Sequence, residues 1–221
     1  MSGKASTERA SRLSAAPAGT QPAPVAVVRD RRAERYAATR QEILDAAWEL
    51  VREQGLTALA MRDLGSRVGM RAQSLYAYFP SKHAIYDAMF AEANREILSR
   101  TLQLPPRSDP VRALKEQAHL YLQFCVEDPV RYQLLYQRTI PGFAPSPESY
   151  APAVEGLDLA RMALAACGMT TPRALDTWTA LIAGLATQQN SNEPGGHRWV
   201  RLADDVIDMF LAHRQPGKAK P

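Results

Sequence analysis

Apolar residues recur along most of this chain at the three- and four-residue spacing that places them on one face of an α-helix. The pattern is clearest from about Tyr36 to Gln54, and Gly55 follows as a helix-ending residue. No stretch of useful length alternates between apolar and polar positions, as a half-buried strand would. The sequence therefore predicts an all-α fold.

Turn-forming residues divide the pattern into short helices first and longer ones after them. Met61–Val68 and Ala72–Tyr78 are the short segments, and Pro80 ends the second because proline disfavours helical geometry at the residue before it. Ser81 then suits the N-cap of a long helix that runs to about Leu102. Five further helices are predicted over Val111–Val126, Val130–Arg138, Tyr150–Cys167, Pro172–Gln189 and His197–His213.

The two short helices have the features of a helix-turn-helix unit. Gly65 lies where the first helix would cross the second, and its lack of a side chain would permit a close approach. Gly69 stands in the turn, where a positive φ is needed. Four apolar residues have the spacing to fill the small core between the helices: Leu64, Val68, Met70 and Leu75. The second helix of such a unit lies in the major groove of DNA, so this segment predicts DNA binding.

The predicted recognition helix begins with side chains that can read bases. Arg71 can pair with guanine and Gln73 with adenine. Tyrosine hydroxyls further along can reach phosphates, as can the start of the next helix, whose positive dipole end attracts anions. The predicted DNA-contacting residues are Arg40, Arg62, Arg71, Ala72, Gln73, Ser74, Tyr76, Tyr78, Ser81 and Lys82.

Basic residues are concentrated at the N-terminal end. Residues 1–40 hold eight basic and three acidic side chains, a charge of +5 against +4 for the whole chain. Residues 1–33 contain few apolar side chains, so we expect a disordered tail that either contacts phosphates or is simply solvated. The chain has no apolar run long enough for a membrane span, and its two cysteines are too few to staple a fold. These features favour a cytoplasmic protein.

The segment Thr39–Phe90 reads TRQEILDAAWELVREQGLTALAMRDLGSRVGMRAQSLYAYFPSKHAIYDAMF and resembles the N-terminal DNA-binding domain of the tetracycline repressor (TetR) family. LYAYFPSK is its most specific part. The resemblance implies base reading by Arg71 and the three residues after it, and phosphate contacts by Tyr76, Tyr78 and Lys82. Two positions depart from the family pattern. Ala60 stands where Ser or Thr usually caps the second helix, and Arg71 stands where Ser is common.

The resemblance also implies a homodimer with a three-helix DNA-binding domain, a connecting helix and a C-terminal bundle for ligand binding and dimerisation. The expected organisation is a basic tail at 1–33, a helix-turn-helix domain at 34–80, a connecting helix at 81–104, a ligand and dimerisation domain at 105–214 and a tail at 215–221. Asp176–Gln189 partly resembles a TetR subgroup with a Trp-His-Gly-like C-terminal domain. The His of that signature is absent here.

Candidate residues for the C-terminal half follow from its aromatic and small side chains. Either they line a ligand pocket and a dimer interface, or they form the ordinary core of one protomer. The candidate ligand-binding residues are Tyr121, Phe124, Cys125, Tyr132, Tyr136, Met162 and Trp178. The candidate interface residues are Leu181, Ile182, Leu185, Val206, Met209 and Phe210. Few charges lie among the first set, so a mostly apolar effector is expected.

The sequence offers little for catalysis. The four histidines are scattered with no metal-ligand spacing, and no Gly-rich phosphate loop or serine-elbow motif occurs, so we expect no enzyme, no metal and no cofactor. The favoured function is a homodimeric repressor released from a palindromic DNA operator by a small-molecule effector. One alternative is an activator or effector-independent regulator. Another, supported by Ala60, is a helical small-molecule-binding protein that no longer binds DNA.

Overall fold

The computed structural model describes residues 30–214, and these form an all-α structure without strands. Two 3-10 turns, Leu56–Ala58 and Val200–Leu202, join helices within this range. The helices are α1 (Arg31–Gln54), α2 (Met61–Arg67), α3 (Ala72–Leu75), α4 (Lys82–Leu102), α5 (Pro110–Glu127), α6 (Pro129–Tyr136), α7 (Pro147–Ala166), α8 (Pro172–Asn192) and α9 (Ala203–Arg214). The fold class predicted from the sequence is confirmed.

Several helix boundaries differ from the sequence-based expectation, among them the start of α1, the end of α3 and the start of α9. The first helix begins at Arg31 because the Asp30 carboxylate accepts hydrogen bonds from two amides of its first turn, so residues 31–33 are helical and not part of a tail. The α3 helix ends at Leu75, and the next residues form a turn. The last helix begins only at Ala203, after a 3-10 turn. The predicted tails at residues 1–29 and 215–221 lie outside the described residues.

Side-chain caps explain where the longer helices begin. At the start of six helices, α1 and α4–α8, an Asp, Ser or Thr side chain accepts an amide hydrogen bond, which satisfies backbone donors that no helical carbonyl can reach. Four of these helices have proline as their first residue, where its missing N–H costs nothing. The capping residues are Asp30, Ser81, Asp109, Asp128, Ser146 and Thr171. Ser81 caps α4 as the sequence predicts.

Two hydrophobic cores organise the chain. The first lies among α1–α3 and the N-terminal half of α4, and the second lies among α5–α9. Leu134 of α6 and Ile140 of the following loop are buried in the first core, although both come from the part of the chain expected to form the second domain. Phe143 of the same loop packs against it as well. The α6–α7 connection thus completes the core of the helix-turn-helix domain.

Helix α4 is held on both sides by polar contacts. Glu92 accepts hydrogen bonds from the Trp48 indole at 3.0 Å and from Gln41 at 2.9 Å, which fixes α1 against α4. Glu96 pairs with buried Arg131 of α6 at 2.9 Å. The guanidinium of Arg131 also stacks 3.7 Å from the centroid of the Phe124 ring. These contacts join α4 to both cores.

Candidate nucleic-acid interface and effector cavity

The α2–α3 crossing depends on the absence of a side chain at Gly65. A Cβ atom at this buried position would lie 2.8 Å from the carbonyl oxygen of Met70 and 3.1 Å from the amide nitrogen of Ala72. The carbonyl of Gly65 accepts a hydrogen bond from the Met70 amide at 2.8 Å. Gly69 has φ +66°, which other residues rarely adopt. Both glycine roles inferred from the sequence are therefore present in the structure.

Helix α3 presents a polar face to solvent and an apolar face to the core. Leu75 is fully buried, and Phe79 in the turn after α3 is 1% exposed. The predicted base-reading side chains Arg71, Gln73 and Ser74 are exposed, and Ala72 is half-buried. The structure brings this set together on one short surface segment.

The predicted phosphate-contacting tyrosines are held differently from each other. Tyr76 is 49% exposed. Tyr78 is half-buried and stacks on Tyr36 of α1, with ring centroids 4.9 Å apart. The Tyr36 hydroxyl also donates to the carbonyl of Ala77 at 3.2 Å, so α1 holds the turn after α3. The sequence analysis did not identify this role of Tyr36. An aromatic residue one helical turn before Arg40, on an otherwise polar helix end, could have indicated it.

The predicted cations also differ in placement. Arg62 is exposed on α2, and Arg40 is half-buried with its guanidinium 4.5 Å from the centroid of the Phe79 ring. The Lys82 ammonium donates to the carbonyl of Thr57 at 3.2 Å. The Ser81 hydroxyl accepts from the Ala84 amide at 3.1 Å, so it is engaged as a helix cap. DNA contact by these residues stays a prediction.

Helix α2 begins without a side-chain cap. Ala60 occupies the N-cap position with an extended backbone, φ −125° and ψ 137°. Its methyl side chain cannot accept a hydrogen bond from an amide of the helix. The first amides of α2 therefore receive no acceptor from a side chain at the N-cap position.

A cavity of about 300 Å³ lies among α4, α5, α7 and α8, with Tyr136 of α6 at its edge. Three of the candidate ligand-binding residues, Tyr121, Tyr136 and Trp178, line it, and ligand binding by them stays a prediction. Phe124, Cys125, Tyr132 and Met162 do not line it. The α7 wall consists of Pro152, Ala153, Gly156, Leu157 and Ala160.

The four candidates outside the cavity have other positions. Phe124 is buried beneath Arg131, and the Tyr132 hydroxyl hydrogen-bonds Thr187 at 2.7 Å. Burial raises the pKa of the Cys125 thiol to about 12, so this thiol is neutral and unreactive at neutral pH. Met162 lies on the outer side of α7 and is 67% exposed.

Two tyrosines place hydroxyl groups at the cavity. The rings of Tyr121 and Tyr136 meet edge to face, with centroids 5.5 Å apart. Tyr136 is 41% exposed and lines the cavity, and burial raises its pKa well above the ordinary value. Burial also raises the pKa of Tyr121. Both phenols are therefore neutral donors across the physiological pH range.

The interface candidates separate into two groups. Ile182, Leu185 and Phe210 are at least 92% buried within the protomer's second core, where nearly all of their surface is already used. Leu181 and Val206 are half-buried, and Met209 is 62% exposed. Among these candidates, only Leu181, Val206 and Met209 expose apolar surface that a second chain could contact.

The described residues show neither a metal-binding cluster nor a membrane-spanning helix. Residues 30–214 contain no group of three His, Cys, Asp or Glu side chains placed to hold a metal ion. His119 pairs instead with Asp204 at 2.8 Å, across α5 and α9. No helix in this part of the chain combines the length and apolar character that a membrane span requires.

Comparison with known proteins agrees with this geometry. Residues 43–89 match the family model of bacterial regulatory proteins, tetR family. The nucleoid occlusion factor SlmA of Marinobacter nauticus is 30% identical over 91 residues, covering 41% of this chain and 47% of that protein. The matched segment thus spans about half the length of this relative.

Solved structures resemble the whole described fold. A tetR-family transcriptional regulator from Streptomyces coelicolor superimposes with a TM-score of 0.62 at 20% identity, over 80% of this chain and 80% of that chain. The transcriptional regulator FadR from Bacillus subtilis, in complex with stearoyl-CoA, has a TM-score of 0.62 at 16% identity, over 79% of this chain and 99% of that chain. At such identities the likeness establishes the fold.

Proposed function

This chain belongs to the tetR family of bacterial regulatory proteins, and from that premise we propose that it is a homodimeric repressor that a small effector releases from a palindromic operator. The observation that carries the proposal is the α2–α3 unit. Gly65 permits a crossing too close for any side chain, and the crossing leaves Arg71, Gln73 and Ser74 exposed together on α3. Such a helix can enter the major groove and read bases.

Dimerisation is proposed through the outer face of α8 and α9. Leu181 on α8 and Val206 on α9 retain part of their apolar surface, and Met209 is 62% exposed. Burying such side chains against a second copy would remove apolar surface from water. Two recognition helices about one duplex turn apart would then read two operator half-sites.

Effector binding is proposed in the cavity beside α4. The cavity is within the size range of small-molecule sites, and its lining is mostly apolar. The stearoyl-CoA complex of the FadR neighbour supports the idea that this fold can enclose an organic ligand. A ligand can shift the conformation only if it binds one conformer more tightly than the other.

The route from cavity to DNA is proposed through α7. Pro152 and Ala153 line the cavity, and Ser146 and Ser149 at the start of the same helix hydrogen-bond Asp87 of α4. Asp87 lies within the second turn of α4, directly after the helix-turn-helix unit. An effector that displaced α7 would therefore pull on α4 where it leaves the DNA-binding domain.

The proposal is tested by DNA binding. We expect the purified protein to prefer the DNA flanking its own gene over scrambled DNA at near-physiological salt, with a two-fold symmetric footprint. Arg71→Ala should weaken operator binding about 5- to 150-fold, as loss of one base contact of 1–3 kcal/mol would. Arg161→Ala, on the exposed surface of α7, is the matched control and should leave binding unchanged.

A different result would favour one of the alternatives. Arg71→Ala binding operator as well as the parent protein would contradict base reading by this side chain. No preference for flanking DNA, followed by an empty genome-wide selection, would favour a helical small-molecule-binding protein. The uncapped Ala60 position is the observation that supports that second candidate.

A further inference from the structure

Some polar groups that line the cavity already donate hydrogen bonds within the protein, and others could still donate one to a ligand. Asn94 donates to the carbonyl of Phe90 at 2.9 Å, and the hydroxyls of Thr101 and Thr179 donate to carbonyls of their own helices at 2.8 and 3.0 Å. These donors are used within the protein. The phenols of Tyr121 and Tyr136 also lie at the cavity and have no backbone partner among the described hydrogen bonds; they interact with each other, and Tyr121 interacts with the Cys125 thiol. The Gln117 amide lines the cavity as a further polar group that has no partner among the described hydrogen bonds.

The cavity lining carries no charge. Among the described residues, not one Lys, Arg, His, Asp or Glu side chain contributes to its wall. A buried carboxylate or ammonium without a partner of opposite charge is strongly disfavoured against water. An ionic effector would find nothing here to replace its hydration, so the lining selects against charged ligands.

The shape of the cavity is set by two unlike walls. On α7, Ala153, Gly156 and Ala160 follow one another at helical spacing, which places three very small side chains on one face. A Cβ atom added at Gly156 would meet nothing within 4 Å. The same wall carries Pro152 and Leu157, and the other helices contribute the rings of Tyr121, Tyr136 and Trp178 beside the aliphatic Ile97, Leu98 and Ile182. The strip formed by Ala153, Gly156 and Ala160 leaves space in which a flat ring system can lie against α7.

From these three observations we infer that the effector is an uncharged planar aromatic compound that presents an acceptor oxygen, such as a ketone, to the hydroxyls of Tyr121 and Tyr136. Its rings lie against the Ala153, Gly156 and Ala160 surface and pack on Trp178. The cavity of about 300 Å³ equals about ten water molecules in volume, which suits two or three fused rings. This inference rests on the proposed function only in naming the cavity as the effector site.

The test uses three probes with the same number of non-hydrogen atoms. The first is 2-acetylnaphthalene, a planar neutral ketone. The second is 2-naphthoate, which has the same rings and a carboxylate. The third is 2-dodecanone, which has the same ketone on a flexible chain. Binding of the first two to the full-length protein without DNA is measured by calorimetry. Binding of the third is measured by its displacement of 2-acetylnaphthalene.

We expect 2-acetylnaphthalene to bind at least about tenfold more tightly than 2-naphthoate, because the carboxylate would be buried unpaired. It should also bind at least about tenfold more tightly than 2-dodecanone, because the flexible chain loses more freedom on binding. The Tyr121→Phe/Tyr136→Phe double variant should weaken ketone binding about two- to tenfold, through loss of the hydroxyl donors. Gly156→Leu should abolish ketone binding, because the larger side chain fills the cavity.

Several results would overturn the inference. Equal or tighter binding of 2-naphthoate would refute the neutral class, and equal or tighter binding of 2-dodecanone would refute the planar class. Unchanged ketone affinity in the double variant would refute the role of the phenols. No binding of 2-acetylnaphthalene at about 1 mM, a very weak affinity, would refute the aromatic class outright. Ketone binding as expected without release of operator DNA would instead contradict the proposed function and leave this inference standing.

Discussion

Asp87 of α4 accepts hydrogen bonds from both the backbone amide and the hydroxyl of Ser146, at 2.7 and 2.9 Å. The same carboxylate accepts from the Ser149 hydroxyl at 2.8 Å. Ser146 is also the N-cap of α7, so one side chain on α4 fixes the start of the helix that lines the cavity. This contact is a polar link between the start of α7 and α4, two helices that both line the proposed effector site.

Replacing Asp87 should loosen this link. We expect Asp87→Ala to lower the free energy of unfolding by about 1–3 kcal/mol, because three donors lose their acceptor. Operator affinity should change little, while effector-induced release should need a higher effector concentration. Denaturant titration and DNA release assays measure the two effects. Asp158→Ala, on the exposed side of α7, is the control and should stay within about 0.5 kcal/mol. Unaltered effector response in Asp87→Ala would count against coupling through this contact.

Two of the helical glycines, Gly65 and Gly156, should respond in opposite ways to the same substitution. Gly65→Ala places a methyl group 2.8 Å from the Met70 carbonyl oxygen, and the resulting overpacking should cost about 1–3 kcal/mol. Gly156→Ala meets open space and should instead stabilise α7 by up to about 1 kcal/mol, through higher helix propensity. Thermal unfolding of both variants checks the pair. Stabilisation by Gly65→Ala would show that the backbone around Met70 can move away from a methyl group at position 65.

The uncapped start of α2 offers a site for stabilisation. Ala60→Ser should raise the free energy of unfolding by about 1 kcal/mol, because the N-cap backbone is already extended and the hydroxyl can accept an amide hydrogen bond. Ala58→Ser, in the preceding 3-10 turn, is a suitable control. If DNA phosphates approach this helix end, operator affinity should rise as well. A gain in stability without a gain in affinity would place the phosphates elsewhere.

Stability should fall in alkaline solution through Tyr86. Its hydroxyl donates to the carbonyl of Leu56, and burial raises its pKa to about 12 from an ordinary value of 10.0. Folding therefore favours the neutral phenol. Its contribution is complete below pH 10 and is lost as the pH rises toward about 12. Denaturant titrations at a series of alkaline pH values measure this loss.

The matched variant for that experiment is Tyr86→Phe. It should be less stable at neutral pH by about 1–3 kcal/mol, because the buried Leu56 carbonyl loses its donor. Its stability should also fall less steeply across the same alkaline range. Identical pH profiles for the two proteins would assign the alkaline loss to other buried groups, such as Cys125.

Local features of the fold could be predicted because they depend on neighbouring residues. Gly65, Gly69 and Ser81 each act within a few positions of the chain, through a close crossing, a positive φ and a helix cap. The start of α1 was missed because Asp30 is an equally local cap that precedes a charged, weakly apolar segment. A search for capping side chains, independent of apolar periodicity, would have found it.

The C-terminal half was less predictable because its roles depend on contacts between distant residues. Periodicity places Ile182 and Met209 on apolar faces of their helices, but only packing decides that one is buried and the other 62% exposed. Aromatic character alone grouped Phe124 with Tyr121, although one lies beneath Arg131 and the other at the cavity. A small residue such as Gly156 cannot be identified from sequence as part of a cavity wall, because the residues that face it are distant along the chain.

The burial of Leu134 and Ile140 in the N-terminal core bears on how this regulator can be recombined with others. A chimera that joins residues 1–104 to the C-terminal domain of a relative would lack these two apolar side chains, which are buried in the core of the helix-turn-helix domain. The N-terminal core of such a chimera would contain a cavity unless the corresponding α6 and loop residues of the relative supplied side chains of matching volume. An exchange of domains in this protein should therefore keep α6 and the α6–α7 loop together with the helix-turn-helix domain.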